Sequence, residues 1–532
     1  MLRKYYLLGS IALFFLSGCA SVTSNPAFHN DKHHNKQKKQ SDEITDKDIA
    51  SHVLTIDPDG KLNFIGCDGK DRATLDWCGE MSYEQKLDNY LNNIITNLKA
   101  SDKELLIYIH GGLNSKKNAL ERAKKKYKLI LNDKENPRYP VFINWHSGPI
   151  TTYWNHIWRI RQGEKEENIL KKIISSPVYL LTDIGNSIVN TPKAWVVSGG
   201  HWFDSTFKSK KTQDIRDDIA ALKGTNIHFN GDKNVSKLFR HIQWGLTSPI
   251  KAVTTPFTYT MAKPAWDIML RRTNTLFYTP EDLQKSHEVE KNRKGKMQKT
   301  GEIKGEIFRT VMLPKRQFKS GNGALYRFLL SLETQLKERD VKITLIGHSM
   351  GAIVVNNIIN LGLNLTYDNI VHMASADSTE NLFNKVVPYI DCSLERTCNN
   401  KVGYTPVNFY SLYLHPDNEN REVSAGGLTP SGSLLTWIDG MYTIPKTVLD
   451  KRSGRWDNIV RTIELIPEDD PNRNNIRGQM HFTIFGIQKD KECTKDELKG
   501  LNCTAQEHGD FGDLPFWREE VWKGEHLSAQ GE

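Results

Sequence analysis

One stretch constrains the fold of this chain more than any other. Val341-Lys-Ile-Thr-Leu-Ile346 is an apolar run of the kind that forms a buried strand. It passes through Gly347-His348-Ser349-Met350-Gly351 straight into Ala352-Ile-Val-Val-Asn-Asn-Ile-Ile359, which reads as a buried helix. A strand that becomes a helix within five residues must turn sharply. Glycines two before and two after the serine permit that turn, because they carry no Cβ into the crowded bend. The same bend lifts the Ser349 oxygen out of the sheet, where a base and a substrate can reach it.

The rest of the chain repeats the strand-helix rhythm. Ser82 to Lys99 carries Leu87, Tyr90, Leu91, Ile94 and Ile95 at helical spacing. Glu104 to Ile109 is a buried-strand pattern ending in His110-Gly111-Gly112. Lys116 to Leu131 is an amphipathic helix, and Pro140 to His146 a further strand. After a break, Gly323 to Arg339 reads as a helix. Further strands are expected at 369–374, 407–414 and 480–485, with a closing helix over Phe516 to Trp522. Apolar strands alternating with helices predict an α/β fold with a mostly parallel central sheet and flanking helices. Near the start, Asp57-Pro-Asp-Gly60 between Val53–Ile56 and Lys61–Ile65 predicts a β-hairpin.

Residues 149–305 interrupt the rhythm. They are rich in Trp and Tyr, punctuated by prolines, and apolar at helical spacing around 168–198 and 245–277. The segment is expected to be a helical insertion, a cap over the site, ending in a densely charged stretch from 284. The expected organisation is therefore a leader at 1–18, a disordered tether at 19–50, and an α/β domain in two parts. Those parts are 51–148 and 306–532, split by the insertion.

Charge and cysteines narrow the functional classes. The net charge of +9 over 532 residues is mild, and basic and acidic residues are mixed. No concentrated basic footprint exists, so nucleic acid is not an expected partner. No metal-binding spacing, phosphate-cradling loop or dinucleotide fingerprint is present, so no metal or cofactor is expected. His29, His33 and His34 lie in the tether and read as solvated spacer. Besides Cys19, the cysteines form three close pairs in sequence: Cys67 and Cys78, Cys392 and Cys398, Cys493 and Cys503. No pair has zinc-ligand spacing, so in an exported chain local disulfides are expected, with connectivity open.

Arg3 and Lys4 precede an apolar run from Tyr5 to Leu16, too short to span a bilayer comfortably. Leu16-Ser17-Gly18-Cys19 follows, and it resembles the lipobox of bacterial lipoproteins. The resemblance implies lipidation of Cys19 and anchoring to a membrane of the cell envelope. Ala20, rather than aspartate, directs the expectation to the outer membrane.

A serine hydroxyl needs a base, a group that orients the base, and donors for the oxyanion. Ser349, then an acid, then His508, each just after an expected strand, resembles the α/β-hydrolase superfamily. The likeness covers roughly residues 100–148 and 320–525. It implies Ser349 as nucleophile, His508 as base, and backbone N–H groups of Gly112 and Met350 as the oxyanion hole. His481, inside a strand, is the alternative base. His348, His372 and His415 are weaker. Asp417 is the first choice for the acid, with Asp377 and Glu419 as alternatives. The expected activity is acyl-enzyme cleavage of a carboxylic ester, with a lipid or other hydrophobic acyl ester as substrate. Acyl transfer or thioester hydrolysis on the same groups, and a non-catalytic envelope lipoprotein on a hydrolase scaffold, are the rivals. Nothing in the sequence fixes an oligomeric state.

Overall fold

The computed structural model describes residues 44–67, 75–148, 321–337, 341–395, 406–422, 432–465, 471–487 and 494–524. Between 149 and 320 it describes 152–153, 160–161, 164–165, 180–186, 188–193, 195–196, 200, 212–222, 226–230, 262–279 and 282. The lipobox, Cys398, Cys493 and the charged stretch from 284 lie outside these residues.

Eight strands build one sheet: β1 (Val53–Ile56), β2 (Glu104–Ile109), β3 (Arg138–Trp145), β4 (Asn226–Asn230), β5 (Ile343–His348), β6 (Asn369–Met373), β7 (Asn408–Leu414) and β8 (Met480–Phe485). Their order is β1-β3-β2-β5-β6-β7-β8-β4, and every pairing is parallel. The sequence expectation of an α/β fold with a parallel sheet therefore holds. All eight residues of β3 are buried, and five of the six in β5. Strands covered on both faces must be apolar throughout, which is why they read as continuous runs and not as alternating ones.

Helices α1 (Tyr83–Ser101), α2 (Lys116–Leu131), α3 (Ala324–Gln335) and α4 (Gly351–Ile359) fill the connections. Each begins where the sequence supplies a reason. Ser82 accepts from the Gln85 N–H while Gln85 reaches back to the Ser82 N–H, a capping box at the start of α1. Ser115 caps α2 through the Asn118 N–H. Helix α4 is buried over nearly its whole length, as a largely apolar helix must be, and its buried Asn356 donates to Asp377.

Four expectations are corrected. Residues 44–50, expected to belong to the disordered tether, are folded. Thr45 and Asp48 form a capping box for a short helix, Asp46–Ala50, whose Ile49 and Ala50 are fully buried. The hairpin is only its turn. Asp57 and Lys61 are bonded across the bend and Gly60 takes a left-handed φ of 81°, but the return arm makes a single bridge, Ile56 to Leu62. The first arm instead pairs in parallel with β3, because that buries all four of its residues. The segment expected to be a helical insertion supplies a strand, β4, which adds to the sheet edge beside β8. Its last described part is also no detached cap. Trp266, Met269, Leu276 and Phe277 belong to the core, and the Gly323 N–H donates to Phe277 O at 2.9 Å. The closing helix is shorter than expected, α6 (Glu519–Lys523); a fifth helix, α5 (Pro416–Arg421), follows β7.

Cys67 and Cys78 form a disulfide. Cys392 and Cys503 are each disulfide-bonded too, with partners outside the described residues.

Candidate active site

Strand pairing sets up the site. Ile109 at the end of β2 stands beside Gly347 near the end of β5, so the loop after one strand meets the bend after the other. At the bend Ser349 holds a φ of 53°, a left-handed conformation that costs a non-glycine residue about 1–3 kcal/mol. The surroundings hold it there. The Ser349 N–H donates to Met373 O at 2.8 Å, and Ser349 O accepts from the N–H groups of Ala352 at 3.1 Å and Ala376 at 3.0 Å. The side chain is treated differently: Ser349 Oγ is buried and has no hydrogen-bond partner.

Both flanking glycines are required by contact. A Cβ on Gly347 would lie 2.6 Å from the Ala352 nitrogen. One on Gly351 would lie 2.1 Å from Ile109 O. These are backbone atoms that cannot swing aside, so the two positions admit only hydrogen.

The loop His110-Gly111-Gly112 packs directly on the bend. A Cβ at Gly111 would stand 2.9 Å from the Ser349 Cβ, and one at Gly112 would stand 2.7 Å from the Met350 Sδ. The loop's carbonyls are tied down. Asn114 Nδ2 donates to Gly111 O and Gly112 O, each at 3.1 Å, and Arg122 donates to Asn114 Oδ1 at 3.1 Å. His110 Nδ1–H donates to Gly111 O at 2.7 Å while its Nε2 accepts from the Trp145 N–H at 3.2 Å. That pair of bonds fixes a neutral imidazole, and burial pushes its pKa down to about 4. With the carbonyls occupied, the N–H groups of Gly112 and Met350 donate to no acceptor among the described residues. The sequence had named these two donors, and the fold brings them to one place.

His508 sits in the loop after β8. Its carbonyl accepts from His348 Nε2 at 3.1 Å, and the two imidazole rings are 5.4 Å apart. His348 is the residue before Ser349, so the fold brings His508 to the bend. Its ring is buried with both nitrogens unpartnered, and burial, with the neighbouring His348, pushes its pKa down to about 3. His508 is thus neutral, the form that accepts a proton. No hydrogen bond joins its ring to Ser349 Oγ. Such bonds are often long before substrate is bound.

The carboxylates separate cleanly. Asp377 is spent on structure: Asn356, Asn381 and the Ser378 N–H all donate to it, at 2.7, 2.7 and 2.8 Å. Glu419 accepts from Ser433 Oγ and lies 4.0 Å from Arg455 Nε; burial pushes its pKa up to about 7 against the pull of Arg455. Asp417 is buried in the first turn of α5, where its N–H donates to His415 Nδ1 at 3.1 Å. None of the three bonds the His508 ring. A fourth carboxylate, Glu422, directly after α5, reaches the backbone of the histidine and not its ring: it accepts the His508 main-chain N–H at 2.8 Å. Burial, and then the charge of Glu507, raise its pKa well above the ordinary carboxylate value. Glu422 lies beyond the strand end where the sequence places the acid, because one short helix carries the chain on before it meets the histidine loop. A second link, Asn418 Nδ2 to Gln506 Oε1 at 3.1 Å, docks the same helix on the same loop. His481 is elsewhere: it stacks on Tyr410 in the sheet, ring centroids 4.7 Å apart.

Among the described residues no group of His, Cys, Asp and Glu could hold a metal ion. No family model, curated protein or solved structure matches this chain.

Proposed function

We propose that this chain is a serine hydrolase of α/β-hydrolase type that cleaves a carboxylic ester through an acyl-enzyme. One observation carries the reading. Ser349 is held at a left-handed φ with every backbone group bonded and its hydroxyl unpartnered, against a glycine loop with an unused N–H. A fold that needs only a turn has no reason to place a strained serine there. In the proposed mechanism Ser349 Oγ attacks the ester carbonyl and His508 takes its proton. The N–H groups of Gly112 and Met350 receive the oxyanion. The proton then passes to the leaving alcohol, and water repeats the sequence on the acyl-enzyme. Glu422 orients His508 from its backbone side. Asp417, on the same short helix, is the alternative acid.

A lipid-like acyl ester at a membrane is the proposed substrate setting. Cys19 as a lipid anchor supports it. So does an apolar face exposed to solvent: Leu181, Ile188, Val189 and Val196 are 66–77% exposed, with Trp195 beside them. No helix among the described residues is long and apolar enough to cross a membrane, so such a face would rest on the surface and not span it.

The decisive experiment is labelling of the full chain with a fluorophosphonate probe. The expected result is one adduct on Ser349, abolished in Ser349→Ala. A folded chain that takes no label would leave the scaffold reading, a non-catalytic envelope lipoprotein.

A further inference from the structure

Arg272 lies in the helical residues 262–275 and is 3% exposed. Its Nη1 is fixed by two acceptors, His146 O and Thr152 Oγ1, both at 2.8 Å. Its Nε and Nη2 are buried and have no partner at all. Among the described residues no carboxylate pairs with it, and burial pushes the guanidinium down to about 10. His146, on the other side of that contact, has a buried unpartnered Nδ1 as well.

Two features make this more than a misplaced arginine. The free atoms are Nε and Nη2, which form the side of the guanidinium that grips two oxygens of one anion in parallel. The bonded atom is the remaining one, so the fork is held in place with its gripping edge vacant. The position is also adjacent to the proposed chemistry. A Cβ on Gly112 would lie 3.5 Å from the sulfur of Met269, one turn before Arg272. Ser147, next to His146, donates from Oγ to Gly111 O at 3.4 Å, and its carbonyl accepts the Leu113 N–H at 3.0 Å.

We propose that Arg272 binds an oxyanion, a carboxylate or phosphate group carried by the molecule processed at Ser349, and so selects anionic over neutral esters. The assignment of that molecule as substrate rests on the hydrolase reading; the anion site itself does not. The buried cation gains in the complex the counter-charge it lacks in the free chain.

Two measurements on the full chain test it. The first is thermal unfolding in sodium phosphate against sodium chloride at equal ionic strength. Phosphate is expected to raise the midpoint of the native chain and not that of Arg272→Gln. The second compares initial rates on three short-chain esters with the same acyl group: a neutral acylglycerol, an acylglycerol phosphate and an ester with a terminal carboxylate. The native chain is expected to favour one of the two anionic esters by about tenfold or more, which also identifies the anion. In Arg272→Gln the ratio is expected to fall to about one, and Thr152→Val, which loosens the grip on Nη1 without removing the charge, to lower it in part. A native chain that shows no phosphate effect and no anionic preference overturns the proposal, whether or not any variant folds. Phosphate stabilisation with no ester turned over would sustain the anion site and sink the hydrolase reading instead.

Discussion

Gly111 and Gly112 are neighbours in one loop, yet replacing each by alanine is expected to have unequal effects. Neither has a left-handed φ, so contact decides and not backbone strain. The new Cβ at 111 would stand 2.9 Å from Ser349 Cβ and 3.2 Å from His348 O. Ordinary contact begins near 3.4 Å, and neither atom can rotate away, so the loop must retreat by about half an ångström. That retreat stretches an oxyanion bond from about 2.9 Å to about 3.4 Å, past the useful range. Loss of one such donor is worth roughly 100- to 1,000-fold in kcat, about 3–4 kcal/mol of transition-state stabilisation. At 112 the nearest atom is the Met350 sulfur at 2.7 Å, the far end of a flexible side chain. Gly112→Ala is therefore expected to keep kcat within about threefold, at a packing cost of roughly 1 kcal/mol. Steady-state kinetics on a chromogenic short-chain ester would check both, with thermal midpoints to confirm folding. Wild-type kcat in Gly111→Ala, or equal damage at the two positions, would refute the placement of the oxyanion loop.

Glu422→Gln should reduce kcat and leave KM nearly unchanged. Because the raised pKa of Glu422 makes its ionised form appear only as pH rises, native activity should climb with pH over that range. A variant whose pH profile overlays that of the native chain would return the acid role to Asp417, for which Asp417→Asn is the matching test. His372 gives a stability prediction away from the chemistry. It is buried in β6 with both ring nitrogens unpartnered, and burial pushes its pKa from 6.5 to about 4. The fold holds it neutral while the unfolded chain protonates, so stability present above pH 6.5 is lost as pH falls toward 4. At pH 5 the loss is about 2 kcal/mol, and His372→Met should abolish it. Urea unfolding of both chains at pH 7.5 and 5 measures the difference; the same pH dependence in both would show that the native state tolerates the charge.

Much of the fold was legible because its causes are local. Leu105, Leu106 and Ile107 are apolar without alternation, and only a strand covered on both faces needs that. The bend at Ser349 was legible from two glycines at fixed spacing, although only Gly347 meets local backbone, at Ala352; Gly351 meets Ile109 on the neighbouring strand. What depended on distant partners was not. The arm Val53–Ile56 has a turn signal behind it, but burial against β3, some ninety residues on, overrides it. Residues 226–230, Asn-Ile-His-Phe-Asn, are too short and too polar to announce a strand, and become one because β8 offers an open edge. Glu422 and Arg272 escaped notice alike. Glutamate near a turn and arginine near a helix end are ordinary in sequence, and only burial makes their bonds informative.

The seating of β4 outside β8 bears on how the molecule is made. Its partner residues, such as Asn226 and His481, are about 250 positions apart, so β8 emerges long after β4. A sheet laid down in order of synthesis would leave 226–230 without a neighbour until the C-terminal strand arrives. The sheet edge is then closed by an older piece of chain over a newer one. Such late, long-range closure is the step at which a folding chain is most open to helper proteins, proteases and self-association. The middle of this protein therefore cannot be excised as a separate module. Removing it would bare β8 as an unprotected edge, and the defect should surface first as aggregation and only secondarily as lost activity.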